Sequence, residues 1–276
     1  MSFRITADSS SNVYALDSAD YSFVSLKINC EDREFVDAPG LDIREMNEFL
    51  ASTKSRSGTS CPNVQEWLDA FSGAKEVFAV TITSGLSGSC AAARSAAETY
   101  MKMNEGSKVC VVDSLSAGPE MHLLIDKIVE CDRLGMSFEE TEKAVSEYSK
   151  RTGLVFSLKS LNNLAKNGRV SVAKAKIAGV LGIRVVGIAS DQGTLQPLRN
   201  CRGEAKNIAG IVDTMVETGY CGGRVIIVHC FNETAVDMLV ATLKAKYPDA
   251  PIEVYLTGGL CSFYAEDGGL MIGYEK

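Results

Sequence analysis

Val77-Phe78-Ala79-Val80-Thr81-Ile82 runs without a break into Thr83-Ser84-Gly85-Leu86-Ser87-Gly88-Ser89. The first six residues are an uninterrupted apolar and β-branched run, the spelling of a strand buried on both faces. Gly85 and Gly88 let the backbone turn tightly, and the small residues from Ala91 to about Met103 continue as a helix. This order of strand, glycine-hydroxyl loop and helix leaves unpaired amides at the positive end of a helix dipole. With the hydroxyls of Ser84 and Ser87 beside them, they make a cradle for a carboxylate or a phosphate. A plain helix cap at Ser87 or Ser89 accounts for the same spelling equally well.

The same rhythm extends outward in both directions. Val109 to Val112 reads as a strand, followed by a helical pattern through Met121, Leu124, Ile125 and Ile128. Ser137-Phe138-Glu139-Glu140 spells a capping box that opens another helix. Further on, Arg224 to Val228 and Ile252 to Tyr255 are strands on either side of a helix from Glu233 to Lys246. Strand-helix alternation predicts an α/β fold with mainly parallel sheets and helical crossovers. Between Gly153 and Gly193 the character changes to a basic loop and a glycine-punctuated apolar segment. The boundary between two α/β domains is placed there. Residues 1–153 carry the hydroxyl-rich loops and residues 154–276 carry a glycine-arginine loop.

Composition excludes several function classes. The 276 residues carry a net charge of −7, a poor match for a nucleic-acid polyanion, which is bound through clustered Lys and Arg. No apolar run approaches the roughly 20 residues of a membrane-spanning helix, and Met1 to Asp8 has no apolar signal core. The nine cysteines are scattered with no CxxC pair, which suits reduced core thiols in a cytoplasmic protein and gives no metal-ligand cluster. GxxxxGK[ST] and a strand-linked GxGxxG are both missing, so the usual nucleotide sites are unsupported.

Other polar loops add candidates. In Thr59-Ser60-Cys61-Pro62, Pro62 suits a first helical position, with Val64, Trp67, Leu68 and Phe71 following along one face. Thr59 and Ser60 are then expected at a second helix N-terminus. Asn167-Gly168-Arg169-Val170-Ser171 offers a guanidinium on a glycine loop, with geometry suited to a carboxylate or phosphate. A competing reading is a serine hydrolase with Ser87 as nucleophile, since Gly85 to Ser89 narrowly misses GxSxG. It needs a histidine and an acid in support, and only His122 and His229 follow in the chain.

Taken in order, seven segments resemble the DegV family of bacterial fatty-acid-binding proteins. Ile5-Thr6-Ala7-Asp8-Ser9 is similar to the family's opening strand ending in Asp-Ser, and Thr59 to Pro62 to its TSxP motif. Ser84 to Ser89 resembles its SxLSGT loop, with Ser89 in place of Thr, and Val111 to Ser114 with Gly118 resembles its next Asp-Ser strand end. Phe156 to Leu161 through Gly168 to Ser171 resembles the segment ending in GGRIS. Leu181 to Arg184 and Gly193 to Arg202 follow its later pattern. The resemblance implies two α/β domains with an interdomain ligand cleft and a long-chain fatty acid in an apolar tunnel. It places the carboxylate on Thr59 and Ser87, with Ser60, Ser84 and the Gly88 backbone nearby and Arg169 lining the head-group region. It also implies a non-enzymatic protein, without cofactor or metal, that presents its fatty acid to a separate fatty acid kinase.

Two features depart from the family pattern. The C-terminal HTGPG motif is absent, and Phe263-Tyr264-Ala265-Glu266-Asp267-Gly268-Gly269 stands in its place, with Tyr264 at roughly the histidine position. A phenol donates one hydrogen bond to a carboxylate and brings no positive charge at neutral pH. Asn200, ahead of Cys201 and Arg202, replaces the usual lysine. Another acidic amphiphile is therefore the alternative ligand.

Overall fold

The computed structural model describes residues 3–171 and 182–276, and Leu181 of the family-like segment lies outside them. The first sheet consists of β1 (Arg4–Asp8), β2 (Asp20–Val24), β6 (Glu76–Thr81) and β7 (Lys108–Asp113), in the order β2-β1-β6-β7, all parallel. Its central strand shows why the apolar run at 77–80 has no polar face. Val77 and Ala79 pack with Trp67, Phe71, Ala93 and Tyr100 of α2 (Val64–Phe71) and α3 (Ser89–Met103). Phe78 and Val80 point the other way, into Met121, Leu124, Ile125 and Ile128 of α4 (Pro119–Arg133) and Phe138 of α5 (Phe138–Ser149). The predicted capping box is present, with Ser137 accepting from the Glu140 amide and Glu140 from the Ser137 amide.

A small antiparallel sheet lies beside the first, made of β3 (Lys27–Cys30), β4 (Arg33–Val36) and β5 (Ser57–Ser60) in the order β4-β3-β5. Helix α1 (Ile43–Ser52) runs between β4 and β5. Here the sequence expectation is corrected. Thr59 and Ser60 end a strand and do not begin a helix. The cap of α2 is Asn63, in a capping box with Glu66, which leaves Pro62 one residue ahead of the cap.

The third sheet holds β8 (Thr152–Leu158), β9 (Ile183–Ala189), β10 (Leu195–Arg202), β11 (Val225–His229), β12 (Ile252–Leu256) and β13 (Leu270–Glu275). Its order is β10-β9-β8-β13-β11-β12, and only β11 and β12 are parallel. The expectation of mainly parallel pairing therefore holds for the first sheet and not for this one. The reason is connectivity. The neighbours β11 and β12 are joined by a long crossover helix at Glu233–Lys246, whereas β9 and β10 meet through a tight turn at Ser190–Thr194. Among the described residues, the remaining α-helices are α6 (Asn162–Lys166), α7 (Glu204–Glu217), α8 (Glu233–Lys246) and α9 (Gly259–Ala265).

Helix α4 joins the two larger sheets. It packs on β1 and β6 of the first and on β8, β11 and β13 of the third, and Ile226 and Val228 share its core cluster. The approach to β13 is close, since a Cβ on Gly273 would stand 2.6 Å from the Pro119 carbonyl carbon. Among the described residues, no helix is long and apolar enough to cross a membrane, and no group of His, Cys, Asp and Glu is arranged to hold a metal.

Candidate functional site

A cavity of about 320 Å³ opens where the first sheet, the small sheet and the third sheet converge. Its wall is mostly apolar, with Leu26, Ile82, Leu154, Phe156, Leu260 and Met271 among the lining residues. Polar groups gather where the small sheet, the loop after β6 and α9 meet. Thr59, Ser60, Ser87, Gly88, Arg169 and Tyr264, all singled out from sequence, line the cavity. Ser84 does not. It is exposed, and its amide donates to Asp113 Oδ1 at 3.1 Å, because the turn at 84–86 carries its side chain outward. Arg169 is the one charged side chain on the wall among the described residues.

The loop carrying Ser87 is held from beneath by Asp8, which is fully buried at the end of β1. Asp8 Oδ2 accepts from the Ile82 amide at 2.8 Å and from the Ser89 hydroxyl at 2.7 Å, while Ser10 donates to Oδ1. One carboxylate thus ties together both ends of the loop. Burial pushes its pKa up to about 6, against the opposing effect of these donors. Ser87 Oγ accepts from the Ser89 amide at 3.2 Å, which satisfies one orphan donor of α3 and leaves the hydroxyl proton available to a ligand. The helix-cap and ligand roles of Ser87 are therefore compatible.

The roof of this loop comes from the second half of the chain. Thr83 Oγ1 donates to the Gly193 carbonyl at 2.8 Å, and Arg169 Nε donates to the Leu86 carbonyl at 3.2 Å. Gly193 has φ +68, and a Cβ there would fall 1.9 Å from Thr83 Oγ1, so only glycine fits. Arg169 also donates to the Asn167 carbonyl, which fixes the guanidinium at the cavity wall.

Tyr264 lies on α9 and exchanges a hydrogen bond with Thr59 Oγ1 at 2.8 Å. Burial raises its pKa, while the Thr59 hydroxyl and the Arg169 charge pull the other way, so the phenol stays a neutral donor at physiological pH. The neighbouring acid is turned away from the cavity. Glu266 Oε1 accepts from Ser160 Oγ at 2.9 Å and from the Asn163 amide at 3.3 Å, at the start of α6. Asn163 Nδ2 in turn donates to the Phe263 carbonyl at 2.8 Å, which locks α6 against α9. Glu266 therefore helps to place the Arg169 loop and adds no negative charge to the cavity wall.

The hydrolase geometry does not assemble. His122 lies 3.6 Å from Asp126 on α4 and its ring meets Tyr255, while His229 Nδ1 accepts from the Asn232 amide. Neither lines the cavity with Ser87, and burial holds both below the usual histidine pKa. Sequence reasoning missed the anchoring role of Asp8 and the contact made by Thr83. Both stand inside stretches quoted above, Asp8 at the end of β1 and Thr83 just past the end of β6, which was the available signal.

The family model described as "Uncharacterised protein, DegV family COG1307" matches residues 2–276. A DegV domain-containing protein of Streptococcus pneumoniae is 41% identical, with 100% of this chain and 99% of the relative covered. Among solved structures, a DegV family protein from Eubacterium eligens loaded with heptadecanoic acid is 40% identical, with a TM-score of 0.97 and 100% of both chains covered. The Streptococcus pneumoniae Fatty Acid Kinase (Fak) B3 protein loaded with linoleic acid is 41% identical, also with a TM-score of 0.97, covering 100% of this chain and 99% of that one.

Proposed function

Because the chain belongs to the DegV family, we propose that it binds one long-chain fatty acid in this cavity and presents it to a fatty acid kinase. One observation carries the reading. Among the described residues, an apolar cavity wall carries one cation, Arg169, with the hydroxyls of Thr59, Ser87 and Tyr264 also lining it. Such a wall matches a long apolar chain ending in one carboxylate. The lobes 1–153 and 154–276 then close on the ligand from either side. The relatives loaded with heptadecanoic and linoleic acid support the ligand class, and the fatty acid kinase name of one of them supports the partner.

The magnitudes divide the work. Each buried methylene contributes about 0.8 kcal/mol, so a chain of about 15 outweighs any single head-group contact before ordering costs. A hydrogen bond to the carboxylate contributes roughly 1.5–3 kcal/mol and sets the orientation of the ligand. In this role the protein carries out no chemistry itself. Its nine free cysteines suit a reducing compartment, taken here to be the cytoplasm.

Tyr264 in place of the family's histidine favours a second reading, in which the ligand is another acidic amphiphile. Calorimetric titration with a C16–C18 fatty acid, its methyl ester and a lysophospholipid separates the two. The first reading expects the acid to bind at least tenfold more tightly than the ester. It also expects Ser87→Ala to weaken the acid roughly tenfold while leaving the ester unchanged. Equal binding of acid and ester, or an unaffected Ser87→Ala variant, would contradict the head-group assignment.

A further inference from the structure

Behind the polar end of the cavity lies a carboxylate that does not line it. Asp37 follows β4 and is 1% exposed. Its Oδ1 accepts from the Tyr14 hydroxyl at 2.7 Å and from the Gly259 amide at 2.6 Å, and its Oδ2 accepts from the Leu260 amide at 3.1 Å. Asn12 Oδ1 takes the next amide along, that of Gly258, at 2.7 Å. The amides of Gly258, Gly259 and Leu260 are the otherwise orphaned donors at the start of α9. The seating depends on two missing side chains. A Cβ on Gly258 would fall 2.0 Å from the Tyr14 hydroxyl, and one on Gly259 would fall 2.6 Å from the Leu41 side chain and 2.9 Å from Asp37 Oδ1.

The other end of α9 is fixed to the same small sheet. Phe263 is buried against Ile28, Phe35 and Met46, and Tyr264 meets Thr59 on β5. A helix of seven residues is therefore held at its first turn by Asp37, next to β4, and at its last by β5. With β3 between those strands, both anchors lie at one sheet. Tyr264 comes from the second half of the chain, on the same short helix whose first turn Asp37 holds.

We propose that Asp37 is a positioning residue for the ligand head group, acting through Tyr264. It seats the first turn of α9 on the small sheet and so sets the Tyr264 hydroxyl at the cavity wall. This rests on the reading above, in which Tyr264 donates to the bound carboxylate. The test is a double-mutant cycle of Asp37→Asn and Tyr264→Phe, read as affinity for palmitic acid, with thermal melting recorded for each variant. A merely structural Asp37 would lower affinity equally in both backgrounds, whereas action through Tyr264 makes the two changes non-additive. The expected result is a 5- to 20-fold loss for Asp37→Asn with Tyr264 present and less than twofold in Tyr264→Phe. Equal losses in both backgrounds, or no loss in either, would overturn the proposal while leaving the head-group reading intact. Wild-type affinity in Tyr264→Phe alone would instead remove Tyr264 from the head-group site, and the proposal with it. If Asp37→Asn fails to fold, Tyr14→Phe, which removes one donor to Asp37, runs through the same cycle with the same criteria.

Discussion

Asp8 illustrates how a single side chain supports a binding loop at a cost in stability. Its carboxyl is fully buried, and its pKa is pushed up to about 6 from an ordinary value of 3.8, because burial outweighs its hydrogen-bond donors. Between those pH values the folded protein holds a proton that the unfolded chain has released. This group therefore favours folding most at low pH, and that contribution is lost as pH rises through about 4 to 6. Two pH units correspond to roughly 3 kcal/mol. Asp8→Asn is expected to flatten that part of the stability curve, as measured by urea unfolding from pH 4.5 to 7. Identical slopes in the two proteins would assign the titration elsewhere. At this scale much was legible, since six of the seven residues chosen from sequence line one cavity. Ser84 was the exception, because nothing local shows which hydroxyl a tight turn sends outward. Asp37 was invisible, since the amides it holds on α9 lie 222 and 223 residues away.

The turn between β9 and β10 belongs to the scale of elements, since its backbone roofs the Ser87 loop through Thr83 and Arg169 roofs it beside the turn. Gly193→Ala would set a Cβ against Thr83 Oγ1 at a positive φ. The expected cost is about 2 kcal/mol or more of stability, with weaker fatty-acid binding as the turn lifts from the loop. Parallel urea-unfolding and titration experiments check both, and a variant with wild-type behaviour in each would show that this roof is dispensable. The long strand-helix units were legible because hydrophobic period and capping residues agree, as at Ser137 and Glu140. The small sheet was not. Its strands are four residues each, and Ser57-Gly58-Thr59-Ser60 carries no apolar alternation. Pairing direction in the third sheet was also hidden, because direction follows connections and not composition.

Across the whole molecule, α4 and α9 each bury residues in cores shared between the halves of the chain, and both halves line the cavity. Loading the cavity is therefore expected to stabilise both halves together, in one cooperative transition. At a free fatty acid concentration about 100 times Kd, linkage adds about 2.7 kcal/mol, a rise of roughly 5 °C in Tm for a chain of this size. Scanning calorimetry with and without palmitic acid checks this, and two transitions of which only one moves would separate the halves. The central claim, that the cavity holds a long-chain fatty acid, is tested most directly by denaturing extraction and mass spectrometry of the small molecule that co-purifies with the protein, against a protein-free mock preparation. The prediction is a C14–C20 fatty acid at close to one per chain. An empty protein, or a different bound acid at that stoichiometry, would contradict it.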